Sequence, residues 1–263
     1  MATIARETII ITGASRGIGE ATARRLARSG TELLLLAQSE EKLERVCRDL
    51  SRRGVLADYL VADLSTVEQA CGAAERIAER CEGIDILVLN AGMSNDKGFE
   101  EASLDEIVYE LGVNYLAPMA LLHRLMPRLK RRSGHVVVVG SLTSILPFPS
   151  NATYGASKAP FLSLIKSLRL ELKETGIHFG IILPGLTDTA ATKDMSSAIP
   201  RAAPAEIAEA IHDCIVSEKG LMIPGAGNRL AAAVFQQFPG LAEKVIDPIK
   251  SLVVPGFDHR RDE

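Results

Sequence analysis

The chain has 263 residues, 47% hydrophobic and 24% charged, a composition that excludes a disordered or low-complexity protein. Lys and Arg total 30 against 33 for Asp and Glu, a formal net charge of -3, so the balance gives no electrostatic reason to expect nucleic acid. No apolar run approaches the ~18 residues of a membrane helix, and Arg6 and Glu7 interrupt the start where a signal peptide needs an apolar stretch.

Short β-branched or aliphatic runs recur in order: Thr8–Thr12, Glu32–Ala37, Leu56–Val61, Ile84–Leu89, His135–Val139, His178–Leu183 and Gly220–Ile223. Several are apolar at every position, which suits strands covered on both faces. Helical patterns lie between them, as at Gly17–Ser29, Glu40–Arg53 after a cap at Ser39, and Thr66–Arg80 after a cap at Ser65. The alternation predicts one α/β domain over residues 1–263. Its core is a doubly wound, mostly parallel seven-stranded sheet of the Rossmann type with helices on both faces. Pro224, Pro239, Pro248 and Pro255 punctuate an atypical tail over residues 224–263, expected to form short helices outside the sheet. Its apolar stripe, Leu230, Val234, Phe238, Leu241, Val245, Ile249 and Leu252, is expected to pack on the domain or on a partner subunit.

The first strand runs into Thr12-Gly13-Ala14-Ser15-Arg16-Gly17-Ile18-Gly19, and a helix follows at once. Glycines let backbone approach a phosphate, and a helix N-terminus offers free N–H groups and a positive dipole end. The spacing is G-x-x-x-G-x-G rather than the common dinucleotide fingerprint. Gly13 to Gly17 also matches G-x-S-x-G, which would make Ser15 a hydrolase nucleophile. That reading fails on order, since no upstream strand supplies a second oxyanion donor.

Further on come Asn90-Ala91-Gly92, Asn114 in a later helix, Gly140-Ser141, and Tyr154-Gly155-Ala156-Ser157-Lys158 opening a helix. Tyr154 and Lys158 at i and i+4 share one helical face. A cation beside the phenol is expected to lower its pKa from ~10 towards working pH, making the pair a proton donor and acceptor. Pro160 follows inside the same pattern, where its missing N–H should leave the Ala156 carbonyl without a helical partner.

Together these residues resemble the short-chain dehydrogenase/reductase family, in the order Thr12–Gly19, Asp63, Asn90-Ala91-Gly92, Asn114, Ser141, Tyr154, Lys158, Pro184-Gly185 and Thr189. The resemblance implies an oxidoreductase interconverting a ketone and a secondary alcohol. Tyr154 would be the general acid or base, Lys158 would tune it and hold the nicotinamide ribose, Ser141 would hold the substrate oxygen, and Asn114 would order a relay water. Gly13, Ser15, Arg16, Gly17, Ile18 and Gly19 would hold the pyrophosphate region. Asp63 would meet the adenine, Asn90 and Gly92 would line the cofactor cleft, Pro184, Gly185 and Thr189 would flank the nicotinamide, and Gln38, Leu64, Ala91 and Thr187 would be further cofactor contacts. Met93, Leu142 and Leu186 would meet the substrate beside Ser141 and Tyr154. The apolar segment Leu142–Pro149 would line the same pocket, and Lys193 and Asp194 would sit in a loop near it. Helices around Leu116–Leu129 and Phe161–Lys173 would pair across a two-fold axis into a homodimer or homotetramer.

The second strand ends Leu36-Ala37-Gln38-Ser39, with no carboxylate to clamp a ribose 2′-OH. Arg16 can pair with a 2′-phosphate, so NADP(H) is expected over NAD(H). A non-catalytic cofactor-binding protein of the same fold is the alternative. No metal site is expected. Cys47, Cys71, Cys81 and Cys214 form no C-x-x-C pair and read as free thiols in a cytoplasmic protein. The five histidines are scattered and carry no expected task, and Arg128–Arg132 reads as a solvated helix end.

Overall fold

Three aliphatic residues in a row at Ile9, Ile10 and Ile11 set the architecture, because all three are fully buried and successive side chains point to opposite faces. Strand β1 (Glu7–Thr12) therefore needs a helical layer on each side. The computed structural model describes residues 6–149, 151–189, 201–238, 240–241 and 244–245. In it, β1 pairs with β2 (Thr31–Ala37) and β4 (Ile86–Leu89), with β3 (Leu56–Val61) beyond β2. On the other side follow β5 (His135–Val139), β6 (His178–Ile182) and the two-residue β7 (Leu221–Met222). The order is β3-β2-β1-β4-β5-β6-β7 and all pairings are parallel, where the sequence predicted mostly parallel.

Helices α1 (Gly17–Leu26), α2 (Glu40–Ser51) and α8 (Pro204–Ser217) cover one face, burying Ala23, Leu26, Leu43, Val46 and Ile207 with Ile9 and Ile11. Helices α3 (Val67–Arg80), α5 (Ala117–Lys130) and α7 (Pro160–Glu171) cover the other, burying Ala73, Ile77, Leu121, Leu125, Phe161 and Ile165 with Ile10. Each fully buried Leu or Ile contributes about 1.5–3 kcal/mol of transfer free energy. The remaining helices are α4 (Leu104–Leu111), α6 (Ala152–Lys158) and α9 (Ala226–Gln237). No helix among the described residues is long and apolar enough to cross a membrane.

Local chemistry corrects several sequence expectations. Helix α3 is capped by Thr66, whose hydroxyl accepts from the Gln69 N–H at 3.2 Å, and not by Ser65. Ser39 stands at the N-cap of α2 but its side chain makes no capping bond. Pro160 opens α7 at a first-turn position just after α6 ends, with Ala159 between them in helical angles, so its missing N–H leaves the Ala156 carbonyl without its i+4 donor, as the sequence implied. The basic run is not wholly solvated, because Arg128 reaches back to the carbonyls of Ala78 and Cys81 at the end of α3. His135 and His178, scattered in sequence, are paired in register at the starts of β5 and β6 with rings stacked 4.7 Å apart. The four cysteines are free, and burial pushes the Cys47 and Cys214 thiols up to about 11.

In the tail, α9 buries Ala232, while Leu230, Phe238, Leu241 and Val245 of the predicted stripe are exposed on the single chain. Ile249, Leu252, Pro239, Pro248 and Pro255, like Lys193 and Asp194, lie outside the described residues.

The turn from β1 into α1 is the tightest part of the frame. Gly13 has φ +66, and a Cβ there would stand 2.8 Å from the Asn90 amide nitrogen and 2.9 Å from the Ala91 Cα. Gly30, before β2, has φ +87 with nothing near its missing side chain. Gly30→Ala is therefore expected to cost only the positive-φ strain, about 1 kcal/mol, and Gly13→Ala about 1–3 kcal/mol more through overpacking. At roughly 2–4 °C per kcal/mol for a chain of this size, thermal unfolding should separate the two variants clearly. Equal losses would show that the contact with β4 does not constrain the turn.

Candidate active site

The strand order reverses between β1 and β4, and the crevice beyond their C-terminal ends is where ligands bind in such sheets. A cleft of about 830 Å³ opens there. Gly13, Ser15, Arg16, Gly17 and Ile18 line it from the first turn, Gln38 from the end of β2, and Asp63 and Leu64 from beyond β3. Asn90, Ala91, Gly92 and Met93 follow β4, Ser141 and Leu142 follow β5, and Tyr154 and Lys158 come from α6. Pro184, Gly185, Leu186, Thr187 and Thr189 close the far wall after β6. Two expected residues stand behind the surface. Gly19 packs beneath the turn against Gly13, and Asn114 is buried behind Gly92.

The glycine turn is held from β4. The Asn90 side-chain amide donates to the carbonyls of Thr12 at 3.0 Å and Gly13 at 3.2 Å. The Thr12 hydroxyl accepts from the backbone N–H groups of Asn90 and Ala91, both at 3.0 Å. Asn90 therefore braces the turn as well as lining the cleft. The start of α1 faces the cavity with positive-φ glycines at 13 and 17, a cradle that fits a pyrophosphate. Across the cleft, a Cβ on Gly17 would lie 3.4 Å from the Thr189 methyl, so the two walls are close.

Helix α6 reaches the cleft because Gly155 lets it approach the turn after β5. A Cβ at that position would stand 2.9 Å from the Thr143 carbonyl. This brings Tyr154 beside Ser141, whose hydroxyl oxygen accepts from the Thr143 N–H at 3.2 Å and the Thr143 hydroxyl at 2.8 Å. A hydrogen bond from Leu142 N–H to the Pro184 carbonyl at 2.8 Å ties this turn to the opposite wall. The Lys158 ammonium is buried and donates to the Val139 carbonyl at 3.4 Å.

Asn114 sits in a wide π-helical turn, Gly112–Leu116, between α4 and α5. Its amide donates to the Met93 carbonyl at 2.8 Å and the Ser157 hydroxyl at 2.9 Å, and its oxygen accepts from the Met93 N–H at 2.9 Å. One lone pair of that oxygen remains. A Cβ on Gly92 would lie 3.0 Å from it and 2.6 Å from the Lys158 nitrogen, so both groups face one small space.

The electrostatics reverse the expectation for the tyrosine. Burial pushes the Tyr154 phenol up to about 12. The Ser141 hydroxyl works against this, while Glu110 and Asp96 reinforce it. Burial likewise brings Lys158 down to about 8, with Glu110 acting in the opposite direction. Desolvation wins at both groups because neither carries a full opposite charge in direct contact. At neutral pH the cleft holds a protonated phenol.

Several lining residues were not read from the sequence. Lys42 joins Arg16 and Ser39 at one end of the cleft, and neither cation has a hydrogen-bond or ion-pair partner among the described residues. Lys42 lies three residues past Ser39, a helical spacing that would have flagged it. Gln38 donates to Asp63 at 2.8 Å, which fixes both side chains. Asn228, Ala231 and Phe235 of α9 line the other end. Their spacing of three and four marks a helix face adjacent to the more apolar stripe chosen from sequence. Leu146, Pro147 and Phe148 line the pocket as expected, but Ile145 turns away and packs on the core. No histidine is among the described residues that line the cleft with Ser15, which removes the base a serine hydrolase needs.

The pattern of short chain dehydrogenases matches residues 7–200. Oxidoreductase UcpA of Salmonella typhimurium is 34% identical over 191 residues, 72% of each chain. The alcohol dehydrogenase of the archaeon Thermococcus sibiricus, solved with 5-hydroxy-NADP, is 31% identical with a TM-score of 0.75, over 83% of this chain and 95% of that one. A short-chain dehydrogenase from Sphingobium yanoikuyae in complex with NADPH is 29% identical with a TM-score of 0.80, over 92% and 95% of the two chains. A parallel seven-stranded sheet, a glycine turn at its switch point and a sequence match across most of its length make this chain an oxidoreductase of the short-chain dehydrogenase/reductase family.

Proposed function

We propose that the protein interconverts a ketone and a secondary alcohol with a nicotinamide dinucleotide, preferring NADP(H). The observation that carries this reading is the placement of Tyr154, Ser141 and Lys158 together between the glycine turn and the apolar segment Leu146–Phe148. The glycine turn and the Pro184–Thr189 wall would hold the dinucleotide, which supplies or accepts the hydride when bound. In the reducing direction Tyr154 gives its phenolic proton to the substrate oxygen. The Ser141 hydroxyl holds that oxygen. The charged Lys158 stabilises the phenolate left behind, and with Asn114 it orders the water that returns a proton. Met93, Leu142, Leu186 and Phe235 give the substrate end an apolar surface, which favours a ketone with apolar substituents.

Arg16 and Lys42 support the NADP(H) preference. Both cations line the end of the cleft beside Gln38 and Ser39, where the second strand offers no carboxylate to a ribose hydroxyl. The 5-hydroxy-NADP and the NADPH bound in the two related structures support the same reading.

Assembly is proposed on closed two-fold symmetry. The apolar residues of α5 that suggested it are spent on the chain's own core, Leu121, Leu125 and Leu129 being fully buried. The outward apolar residues lie instead on α4 and α7, with Leu104 79%, Val108 64% and Leu170 81% exposed.

Tyr154→Phe should keep cofactor binding and lower turnover by ~10²-fold or more, read as absorbance at 340 nm with a panel of ketones. Binding without turnover in the unmutated protein would instead support the non-catalytic alternative. The kcat/KM for cofactor reads the free protein. Lys158 is charged below about 8 and loses its charge above it, so this parameter should fall as pH rises through that value. A profile flat to pH 10 would contradict the role of Lys158. Arg16→Ala should weaken NADP(H) binding by about ten- to a hundredfold, the worth of one charge-assisted hydrogen bond, and leave NAD(H) nearly unchanged. Equal losses would make Arg16 a structural part of the turn. Sedimentation should give a dimer or tetramer that Leu170→Glu drives towards monomer, and a monomeric unmutated protein would refute the assembly.

A further inference from the structure

The end of the sheet away from the cleft carries a second group of side chains with chemistry of their own. His135 opens β5 and His178 opens β6, and the parallel register sets them side by side. Their rings stack with 4.7 Å between centroids and 17° between planes. His135 stands six residues before Ser141, so at about 3.3 Å per strand residue the pair lies roughly 20 Å from the reacting groups. Glu218 completes the group from the end of α8. It is the C-cap of that helix at φ 53, a left-handed turn that starts the chain towards β7. The turn is held against β6, where the Ile181 N–H donates to the Gly220 carbonyl at 3.1 Å. Gly180 gives it room, because a Cβ there would lie 3.0 Å from the Lys219 carbonyl and would collide with the Cys214 sulfur.

This packing leaves a Glu218 carboxylate oxygen 3.6 Å from His178 Nδ1, too far for a hydrogen bond. One ligand atom from each of the three residues lies within 4.8 Å of the other two. His135 Nε2 is shielded from water and has no hydrogen-bond partner among the described residues. Buried polar atoms are nearly always paired, so this nitrogen lacks the partner that the rest of the fold supplies elsewhere. A second group of ligand-type residues, Glu209, His212 and Asp213, differs on this point. Its carboxylates are exposed along α8, and Glu209 is already bonded twice to Arg25.

Two imidazoles and one carboxylate are the donor set of zinc sites that keep a fourth position open to water. Imidazole suits zinc, nickel and copper, whereas magnesium and calcium take oxygen ligands. Tetrahedral zinc ligands stand about 3.3 Å apart, so the three atoms must draw together by up to about 1.5 Å. Side chains can supply this, because the torsion that turns a histidine ring out of the stack is broad and the Glu218 side chain is 56% exposed. We infer that His135, His178 and Glu218 form a site for one zinc ion, or a similar borderline divalent ion, that ties β5, β6 and the turn before β7 together. The site is remote from the cleft, takes no part in hydride transfer and does not rest on the ketone reading.

Calorimetric titration of the full chain, first stripped with a chelator, should show one zinc ion taken up at micromolar concentration. Glu218→Gln keeps the size of an exposed side chain and removes its charge. His178→Ala removes a ligand from the half-exposed side of the stack. Each variant should weaken zinc binding by at least tenfold, since losing even an outer partner of a metal ligand costs about ten- to a hundredfold. His212→Ala should leave the affinity unchanged, as should excess magnesium. Circular dichroism checks that each variant is folded, and either one alone decides the matter if the other is not. No uptake by the unmutated protein, undiminished uptake in a folded Glu218→Gln or His178→Ala variant, or displacement by magnesium would overturn the site. None of these readouts needs turnover, so a protein that reduces no ketone would defeat the proposed function and leave the metal site separately decided.

Discussion

The hydroxyl of Thr12 and the amide of Asn90 join the ends of β1 and β4, and the cleft depends on that junction. Parallel strands on either side of the switch point send their connections to opposite faces, so their ends part and leave a crevice. Left to itself, the crevice would expose unpaired backbone groups at the end of each strand. Thr12 and Asn90 satisfy several of them mutually, which fixes the glycine turn at a spacing where any Cβ at residue 13 would collide. The N-terminus of α1 then faces the cavity as a consequence of the same fixed turn.

Burial decides the chemistry of the other half of the site. Lys158 and Glu110 are both withdrawn from water, and the Tyr154 phenol is desolvated. Desolvation disfavours every charged form. It therefore works against the phenolate that the lysine alone would favour, and the resting pair is a neutral phenol beside a lysine whose charge is easily lost. Separate polar contacts surround these groups, Ser141 with Thr143, Asn114 with Ser157 and Glu110 with Asn95, where the low local dielectric strengthens each interaction. Small residues make that arrangement possible. Gly92 and Gly155 leave the space in which the lysine head and the helix backbone come to rest.

The two ends of the cleft differ in kind. Arg16 and Lys42 make one end cationic, while Phe148, Ala231 and Phe235 make the other apolar. In the proposed function such a division would set a charged nucleotide at one end and an apolar substrate at the other. Helix α9 contributes to the apolar end through its less hydrophobic face. Its more hydrophobic residues, Leu230 among them, stay exposed.

The sequence by itself determined the sheet, because fully apolar strands such as Ile9–Ile11 and Val136–Val139 alternate with amphipathic helices and admit few other packings. It also determined which residue types meet at the cleft, since the ends of successive strands in a doubly wound sheet converge on one edge. Gly13 and Ser141 were legible for that reason, and Tyr154 and Lys158 as an i, i+4 pair and through the family resemblance. Only the tertiary structure decided what depends on distance between remote segments. It placed Asn114 behind the surface in a wide turn that no residue pattern marks. It turned Ile145 inward and Phe235 towards the cleft, choices made by packing between helix faces of similar hydrophobicity. It set the direction of the Tyr154 and Lys158 shifts, because burial is a property of everything packed around a group. Glu110 was invisible in the sequence, one acidic residue among 33 Asp and Glu, until α4 carried it beneath the loop after β4.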